Sequence, residues 1–169
     1  LAELDALIVW HAHIGERTAK ALKNSCIVVR YGVGFDSIDI AALLIEGIPF
    51  CNTPDYGTEE VADTASGMIL NMQRKIASYD FACRNYHSGW QEHVQPPLTR
   101  TNQQTLGVIG VGRIGTAVIN RMKAFGYRII GYDPYQPSGH EKAIGYERKQ
   151  HLKKLLEESD IVTVHCPLS

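Results

Sequence analysis

The sequence lacks an excess of charge of either sign. Its 169 residues include 17 Lys and Arg and 18 Asp and Glu, which leaves a formal net charge of −1. A protein that binds nucleic acid directly, or an anionic membrane surface, usually carries a clear excess of basic residues. The charge balance therefore argues against both partners, while a hydrophobic content of 44% is sufficient for a packed core.

Long hydrophobic runs and closely paired cysteines are also missing. No apolar run approaches the roughly 18 residues that a transmembrane helix requires, and Glu3 and Asp5 stand where a signal peptide would be basic. None of the cysteines forms a C-x-x-C pair, so neither a zinc site nor a redox motif is indicated. We therefore expect a cytoplasmic protein with reduced, mostly buried thiols. The four cysteines are Cys26, Cys51, Cys83 and Cys166.

Both ends of the sequence are unusual for a complete domain. The chain has no initiator Met, enters the apolar run 6–10 almost at once and stops just after the apolar run 161–164. Such runs are typical of buried strands. We expect the chain to be a piece of a longer protein.

Strand-like and helix-like segments alternate along the chain. Short apolar runs predict strands, and segments of helical periodicity follow most of them. The predicted strands are 6–10, 26–32, 48–52, 105–110, 127–133 and 160–167, and the predicted helices are 16–23, 37–47, 113–125 and 151–159. This alternation predicts an α/β fold with parallel sheets.

A long helix is predicted between the two halves. Thr58 is suited to its N-cap, and Glu59 and Glu60 favour the positive end of the helix dipole. Apolar residues then recur at spacings of three and four and form one stripe. The stripe consists of Val61, Ala65, Met68, Ile69, Met72 and Ile76. The polar segment 85–105, which contains a Pro-Pro pair, predicts a loop between two subregions.

Three glycines stand between a predicted strand and a predicted helix at G-x-G-x-x-G spacing. Gly110 suits the tight turn out of the strand, Gly112 lets a pyrophosphate approach the backbone, and Gly115 lets the helix pack close to the strand. The motif alone also fits a plain turn. Its context favours a dinucleotide, because the next strand ends in Asp133, 23 positions after Gly110, near the offset expected for the carboxylate that binds the adenosine ribose.

Asp133 also bears on the choice between NAD and NADP. A carboxylate there accepts hydrogen bonds from the ribose 2′-OH and repels a 2′-phosphate, by several kcal/mol at ~4 Å and an effective dielectric of ~20. Pro134 and Tyr135 follow it, with no adjacent Arg to hold that phosphate. The sequence therefore favours NAD.

Several segments together resemble one family, the D-isomer-specific 2-hydroxyacid dehydrogenases, and most closely its C-terminal-binding-protein branch. They occur in family order and are VVRYGVGFDSIDI, GIPFCNTP, EEVADT, TLGVIGVGRIG, GYDPY and SDIVTVHCPLS. The resemblance implies part of a Rossmann-type doubly wound parallel sheet and part of a flavodoxin-like substrate domain. It assigns residues 1–53 to the later part of the first half of the substrate domain, and residues 54–169 to the N-terminal part of the NAD-binding domain. It also implies a homodimer that uses the long helix region.

The resemblance implies roles for individual residues. The glycine motif with its two inner residues would lie at the phosphates, the acid at the adenine ribose, and the last three residues beside the adenine. These cofactor-side residues are Gly110, Gly112, Arg113, Ile114, Gly115, Asp133, His165, Cys166 and Pro167. On the substrate side, Arg30 would reach the pocket, and Val33 and Gly34 would offer backbone N–H groups to a carboxylate or to the nicotinamide.

The family's catalytic Arg, Glu and His match no segment of this chain, so no catalytic residue is assigned to it. His11 and His13 are read as plain polar residues rather than as a metal pair, because no third ligand is nearby. Glu59 and Glu60, together with Asp63, fit a charged first helical turn better than a set of catalytic carboxylates. Arg30 fits an ion pair as well as a substrate contact.

Two function classes remain open. The first is an NAD-dependent dehydrogenase acting on a small 2-hydroxy or 2-keto acid, in which the cofactor performs the redox chemistry and the protein orients it. The second is an NAD-sensing scaffold, similar to a corepressor, whose output is partner binding. A substrate-selective pocket would distinguish them.

Overall fold

The structure, a computed structural model, describes residues 1, 3–22, 27–85 and 97–167. Two compact units are present; the first consists of Leu1–Tyr56 with Pro167, and the second is Gly57–Cys166. Each unit has its own parallel sheet and its own buried apolar cluster. The α/β class predicted from the alternation of segments is therefore confirmed.

The first unit is a three-stranded parallel sheet with two short helices. Its strands are β1 (Ala6–Val9), β2 (Ile27–Arg30) and β3 (Phe50–Asn52), adjacent in that order, and its helices are α1 (Glu16–Ala21) and α2 (Ile40–Ile45). The Asp39 side chain caps α2 by accepting a hydrogen bond from the Ala42 amide at 2.9 Å. Gly47, at φ 70°, follows the end of α2, as a glycine at this position predicts.

The second unit begins with helices and continues as an alternating α/β segment. The helices α3 (Thr58–Arg74) and α4 (Ile76–Arg84) come first, and one turn of 3-10 helix lies at Thr101–Gln103. The remaining elements are β4 (Thr105–Ile109), α5 (Arg113–Lys123), β5 (Arg128–Tyr132), α6 (His140–Ile144), β6 (Glu147–Arg148), α7 (Leu152–Glu158) and β7 (Ile161–Val164). The short elements α6 and β6 were not predicted, because segments of five and two residues are too short to show an apolar periodicity.

The sheet of the second unit is parallel, with the strand order β6-β5-β4-β7. The chain moves outward from β4 through β5 to β6 and then returns to place β7 on the other side of β4. Leu106 of β4 is consequently paired with Ile129 of β5 and with Ile161 of β7. In open α/β sheets a ligand binds at the carboxyl ends of the strands where the order reverses, which here is the end of β4.

The long helix differs from its prediction in three respects. It ends at Arg74, because Lys75 adopts a left-handed conformation, and Ile76 of the predicted stripe begins α4. The N-cap of the long helix is Gly57 rather than Thr58, and no side chain caps it. Its buried residues are Ala62, Ser66 and Ile69, and the first two are small because α3 packs closely on α5. Most of the apolar stripe instead lies on an exposed face, where Val61, Met68 and Met72 are 47%, 67% and 55% exposed.

The expectation of buried thiols is wrong for the cysteines in the described part of the chain. Cys51, Cys83 and Cys166 are all exposed, because they lie on an edge strand, on the outer side of a short helix and in a loop. Cys26 lies outside the described residues, as does much of the predicted loop, residues 86–96. None of the described helices is both long enough and apolar enough to cross a membrane.

Candidate functional site

Two glycines of the G-x-G-x-x-G motif are required by close backbone contacts. Gly110 has φ 85°, a conformation that side-chain-bearing residues rarely adopt. A Cβ at Gly110 would also stand 2.7 Å from the Cys166 amide nitrogen and 2.8 Å from the His165 carbonyl carbon. A Cβ at Gly115 would collide with the Gly110 carbonyl group. These two glycines therefore let β4, α5 and the segment after β7 approach one another.

Gly112 differs from its two neighbours because nothing in the protein crowds it. No heavy atom lies within 4 Å of the place where its Cβ would stand. Gly112 is the N-cap residue of α5, which begins without a side-chain cap. The positive end of the α5 dipole is thus adjacent to open space, an arrangement that favours an anion.

Asp133 stands directly after β5, and both of its carboxylate oxygens accept backbone hydrogen bonds. Oδ2 accepts one from the Val111 amide at 2.9 Å, and Oδ1 accepts one from the Tyr135 amide at 2.9 Å. The first bond connects the acid to the glycine motif. A carboxylate oxygen can accept further hydrogen bonds, so Asp133 can still bind hydroxyl groups.

The segment after β7 closes the same end of the sheet. The His165 amide donates to the Ile109 carbonyl at 2.7 Å, and its ring Nε2 lies 2.9 Å from Thr163 Oγ1. Burial lowers the pKa of His165 below its ordinary value of 6.5, so the neutral ring is favoured. Cys166 and Pro167 follow as exposed residues.

The substrate-side residues lie in the first unit, Arg30 at the end of β2 and the other two in the loop that follows it. Asn52 Nδ2 donates to the Val33 carbonyl at 2.8 Å, and the Thr53 amide donates to the Gly32 carbonyl at 3.2 Å. The end of β3 therefore fixes the loop, while Val33 and Gly34 remain exposed. The sequence did not indicate the roles of Asn52 and Thr53, because their partners are about twenty residues away.

Arg30 ends β2 and folds back over this loop. Its Nη1 donates to the Tyr31 carbonyl, and a Cβ at Gly32 would stand 2.7 Å from its Cζ. Nε is buried and has no hydrogen-bond partner within the described ranges. No described carboxylate pairs with Arg30, so the ion-pair interpretation has no support from this part of the chain.

Aromatic rings that the sequence did not single out surround the carboxyl ends of the same three strands. Trp10, Tyr31 and Tyr56 follow β1, β2 and β3, and they are 59%, 61% and 68% exposed. The ring centroids of Trp10 and Tyr31 are 6.4 Å apart, and those of Tyr31 and Tyr56 are 6.5 Å apart. The end of the first sheet thus presents aromatic surface beside Arg30.

The other candidate side chains have structural partners. His11 stacks on Trp10 with ring centroids 4.6 Å apart. Asp63 accepts a hydrogen bond from Arg121 at 2.6 Å, and Glu59 pairs with the same guanidinium, so both carboxylates connect α3 to α5. Across the described ranges, no group of three His, Cys, Asp or Glu side chains could hold a metal ion.

Comparison with known proteins identifies this architecture. Residues 66–169 match the family model described as D-isomer specific 2-hydroxyacid dehydrogenase, NAD binding domain. The chain is 32% identical to C-terminal-binding protein 1 of Caenorhabditis elegans, over 99% of the chain and 24% of that protein. It is 39% identical to a glyoxylate reductase of Korarchaeum cryptofilum, over 85% of the chain and 43% of that protein.

The fold is also similar to solved structures. D-Lactate dehydrogenase from Aquifex aeolicus, crystallised with NAD and lactic acid, superposes with a TM-score of 0.89 at 27% sequence identity. The match covers 100% of this chain and 50% of that enzyme. The chain thus spans no more than half the length of these relatives.

Proposed function

The chain belongs to the D-isomer-specific 2-hydroxyacid dehydrogenase family and matches its NAD-binding domain over residues 66–169; from this premise, we propose that the complete protein transfers hydride between NAD(H) and a small 2-hydroxy or 2-keto acid. One observation carries the proposal. The uncrowded backbone at Gly112, the Asp133 carboxylate and the neutral His165 ring lie at the carboxyl ends of β4, β5 and β7, where the strand order reverses.

The residues present fit NAD. The amino end of α5, at Arg113 and Ile114, attracts the pyrophosphate, and Gly112 leaves the room that this group needs. Asp133 accepts hydrogen bonds from the adenosine ribose and disfavours a 2′-phosphate through charge repulsion. The exposed Cys166 and Pro167 supply a wall for the adenine.

The substrate side of the proposal rests on Arg30 and the loop after β2. The Arg30 guanidinium suits a carboxylate, because it is planar and always charged. The backbone N–H groups of Val33 and Gly34 are held in place through Asn52 and Thr53. Bound NAD(H) would supply hydride chemistry, and this chain's own residues would bind and orient the reactants. The proposal assigns no proton-transfer residue to this chain.

We also propose that residues 1–53 belong to the substrate domain and residues 54–169 to the NAD-binding domain of a cytoplasmic homodimer. Exposed apolar side chains on consecutive helices support the dimer, since Met68 and Met72 on α3 and Phe81 on α4 are 67%, 55% and 70% exposed.

A second candidate function is an NAD-sensing scaffold that binds protein partners. The 32% identity to C-terminal-binding protein 1 over 99% of the chain favours it. Both candidates use the same NAD site, so they differ in turnover and not in cofactor binding.

The test is an assay of the complete protein. NADH binding is measured first by calorimetry, and NADH oxidation is then followed by absorbance with glyoxylate, hydroxypyruvate and pyruvate. Turnover of one of these acids supports the dehydrogenase. Tight NADH binding without turnover favours the scaffold, and the absence of NADH binding contradicts both.

A further inference from the structure

Arg148 connects a two-residue strand to the turn that carries Asp133. It lies in β6, where it is paired with Gly131 of β5, and its side chain is only 16% exposed. Its guanidinium donates hydrogen bonds to three main-chain carbonyl oxygens, those of Asp133 at 3.2 Å, Gln136 at 2.9 Å and Pro137 at 3.1 Å. These carbonyls belong to one turn, residues 133–137.

Few other contacts hold this turn. Pro134, Tyr135 and Pro137 are exposed, and Tyr135 is 93% exposed, so burial of apolar surface contributes little to the order of the turn. A guanidinium can hold three carbonyls at once because it presents five N–H donors in a rigid plane. Lys presents a single ammonium group and cannot reproduce this arrangement.

The charge of Arg148 is balanced by a carboxylate outside the turn. Glu141 lies 3.7 Å from Arg148 Nη1, and its carboxylate accepts hydrogen bonds from the Gly139 amide at 3.1 and 3.2 Å. Backbone hydrogen bonding is the main cause that lowers the pKa of Glu141. Arg148 therefore contacts the main-chain carbonyl groups of the turn, while the Asp133 carboxylate accepts hydrogen bonds from the amides of Val111 and Tyr135.

We infer that Arg148 is a positioning residue for NAD: it holds the 133–137 turn so that the Asp133 carboxylate keeps the orientation that accepts the adenosine ribose hydroxyls. The inference rests on the proposed role of Asp133. In this role Arg148 acts through the turn rather than through a contact with the cofactor, because three of its five N–H donors bond to carbonyl oxygens of residues 133–137.

The experiment compares two reduced cofactors in the complete protein. NADH contains the adenosine ribose, whereas reduced nicotinamide mononucleotide lacks the whole adenosine half. We expect Arg148→Met to raise the Kd for NADH about tenfold, an effect of the size of one charge-assisted hydrogen bond, and to leave the Kd for the mononucleotide unchanged. Arg148→Lys is expected to raise the Kd for NADH by nearly as much as Arg148→Met, because Lys cannot bond three carbonyls at once.

A matched control and a double variant complete the design. Arg128→Met removes an Arg of the neighbouring strand that pairs with Glu147 and Glu158 but does not contact the 133–137 turn, and it is expected to keep normal NADH affinity. In the Asp133→Ala background, Arg148→Met is expected to have no further effect on NADH binding, because the two residues act through one contact.

The possible results separate the inference from the proposed function. Normal NADH affinity in Arg148→Met, or equal losses for NADH and the mononucleotide, would overturn the positioning role. A selective loss of NADPH binding would instead identify Arg148 as a phosphate ligand. If Asp133→Ala itself leaves NADH affinity unchanged, the proposed ribose contact fails. Should Arg148→Met not fold, Arg148→Lys provides the same comparisons.

Discussion

Replacing Gly110 or Gly112 by Ala makes the same chemical change two residues apart, and the structure predicts opposite outcomes. At Gly112 the new Cβ meets no protein atom within 4 Å, and φ is −79°, which any residue adopts. We therefore expect Gly112→Ala to change the free energy of unfolding by less than about 0.5 kcal/mol, the usual range for an uncrowded surface position.

At Gly110 the same methyl group has two costs. The φ of 85° disfavours Ala by about 1–2 kcal/mol. Contacts of 2.7–2.9 Å with the backbone of His165 and Cys166 add about 1–3 kcal/mol of overpacking. Gly110→Ala is therefore expected to lower the free energy of unfolding by about 2–5 kcal/mol.

At Gly112 we expect the substitution to weaken cofactor binding without lowering the stability of the fold. In Gly112→Ala the fold is intact, yet the Cβ occupies the space through which a pyrophosphate approaches the backbone. We expect its Kd for NADH to rise at least about tenfold, equivalent to ~1.4 kcal/mol. Gly112→Val is expected to abolish binding.

The assay combines urea unfolding of the complete protein with calorimetric titration of NADH. Near-native NADH affinity in Gly112→Ala and Gly112→Val would mean that the motif is only a turn, and the proposed cofactor site would be refuted. A loss of stability in Gly112→Ala as large as that in Gly110→Ala would mean that the backbone at Gly112 is as crowded or as strained as that at Gly110.

Four further outcomes are expected. Asp133→Ala should weaken NADH binding and narrow the preference for NAD over NADP in calorimetric titrations; unchanged affinities for both would contradict the ribose contact. The pKa values of Glu147 and Glu158 are lowered mainly by hydrogen bonds from Lys149. The stability that these two ionised carboxylates contribute to the fold is therefore fully present above pH 4.5, the ordinary pKa of Glu, and is lost as the pH falls below it. Glu147→Gln and Glu158→Gln should therefore have a lower free energy of unfolding in urea than wild type at neutral pH and the same free energy of unfolding in acid. The ring of His165 should titrate below pH 6.5 in an NMR titration, and a midpoint above that value would contradict its burial. A protein consisting of residues 1–169 alone should show no dehydrogenase activity beside the complete protein, because general acid–base groups contribute ~10²–10⁴ in rate; comparable turnover would mean that the catalytic residues lie within it.

Local spacing was enough to determine the central part of this protein. Glycines at 110, 112 and 115 mark a tight turn within six residues. The apolar segment before them has the length of a strand, and the one after them has the length of a helix. The structure accordingly has β4 ending at Ile109 and α5 beginning at Arg113. The position of Asp133 at the end of the next strand was predictable for the same reason, because it depends only on the length of one strand–helix–strand unit.

Tertiary structure alone decided which side chains surround these elements. The apolar stripe of α3 has regular spacing, but the buried line runs through Ala62 and Ser66, because the close approach of α5 selects small residues. Arg148 stands in a polar two-residue strand without any periodic pattern, 15 positions after Asp133. It reaches the 133–137 turn only because β6 pairs with β5 in one particular register. Register depends on the packing of the whole sheet, and no local pattern in the sequence encodes it.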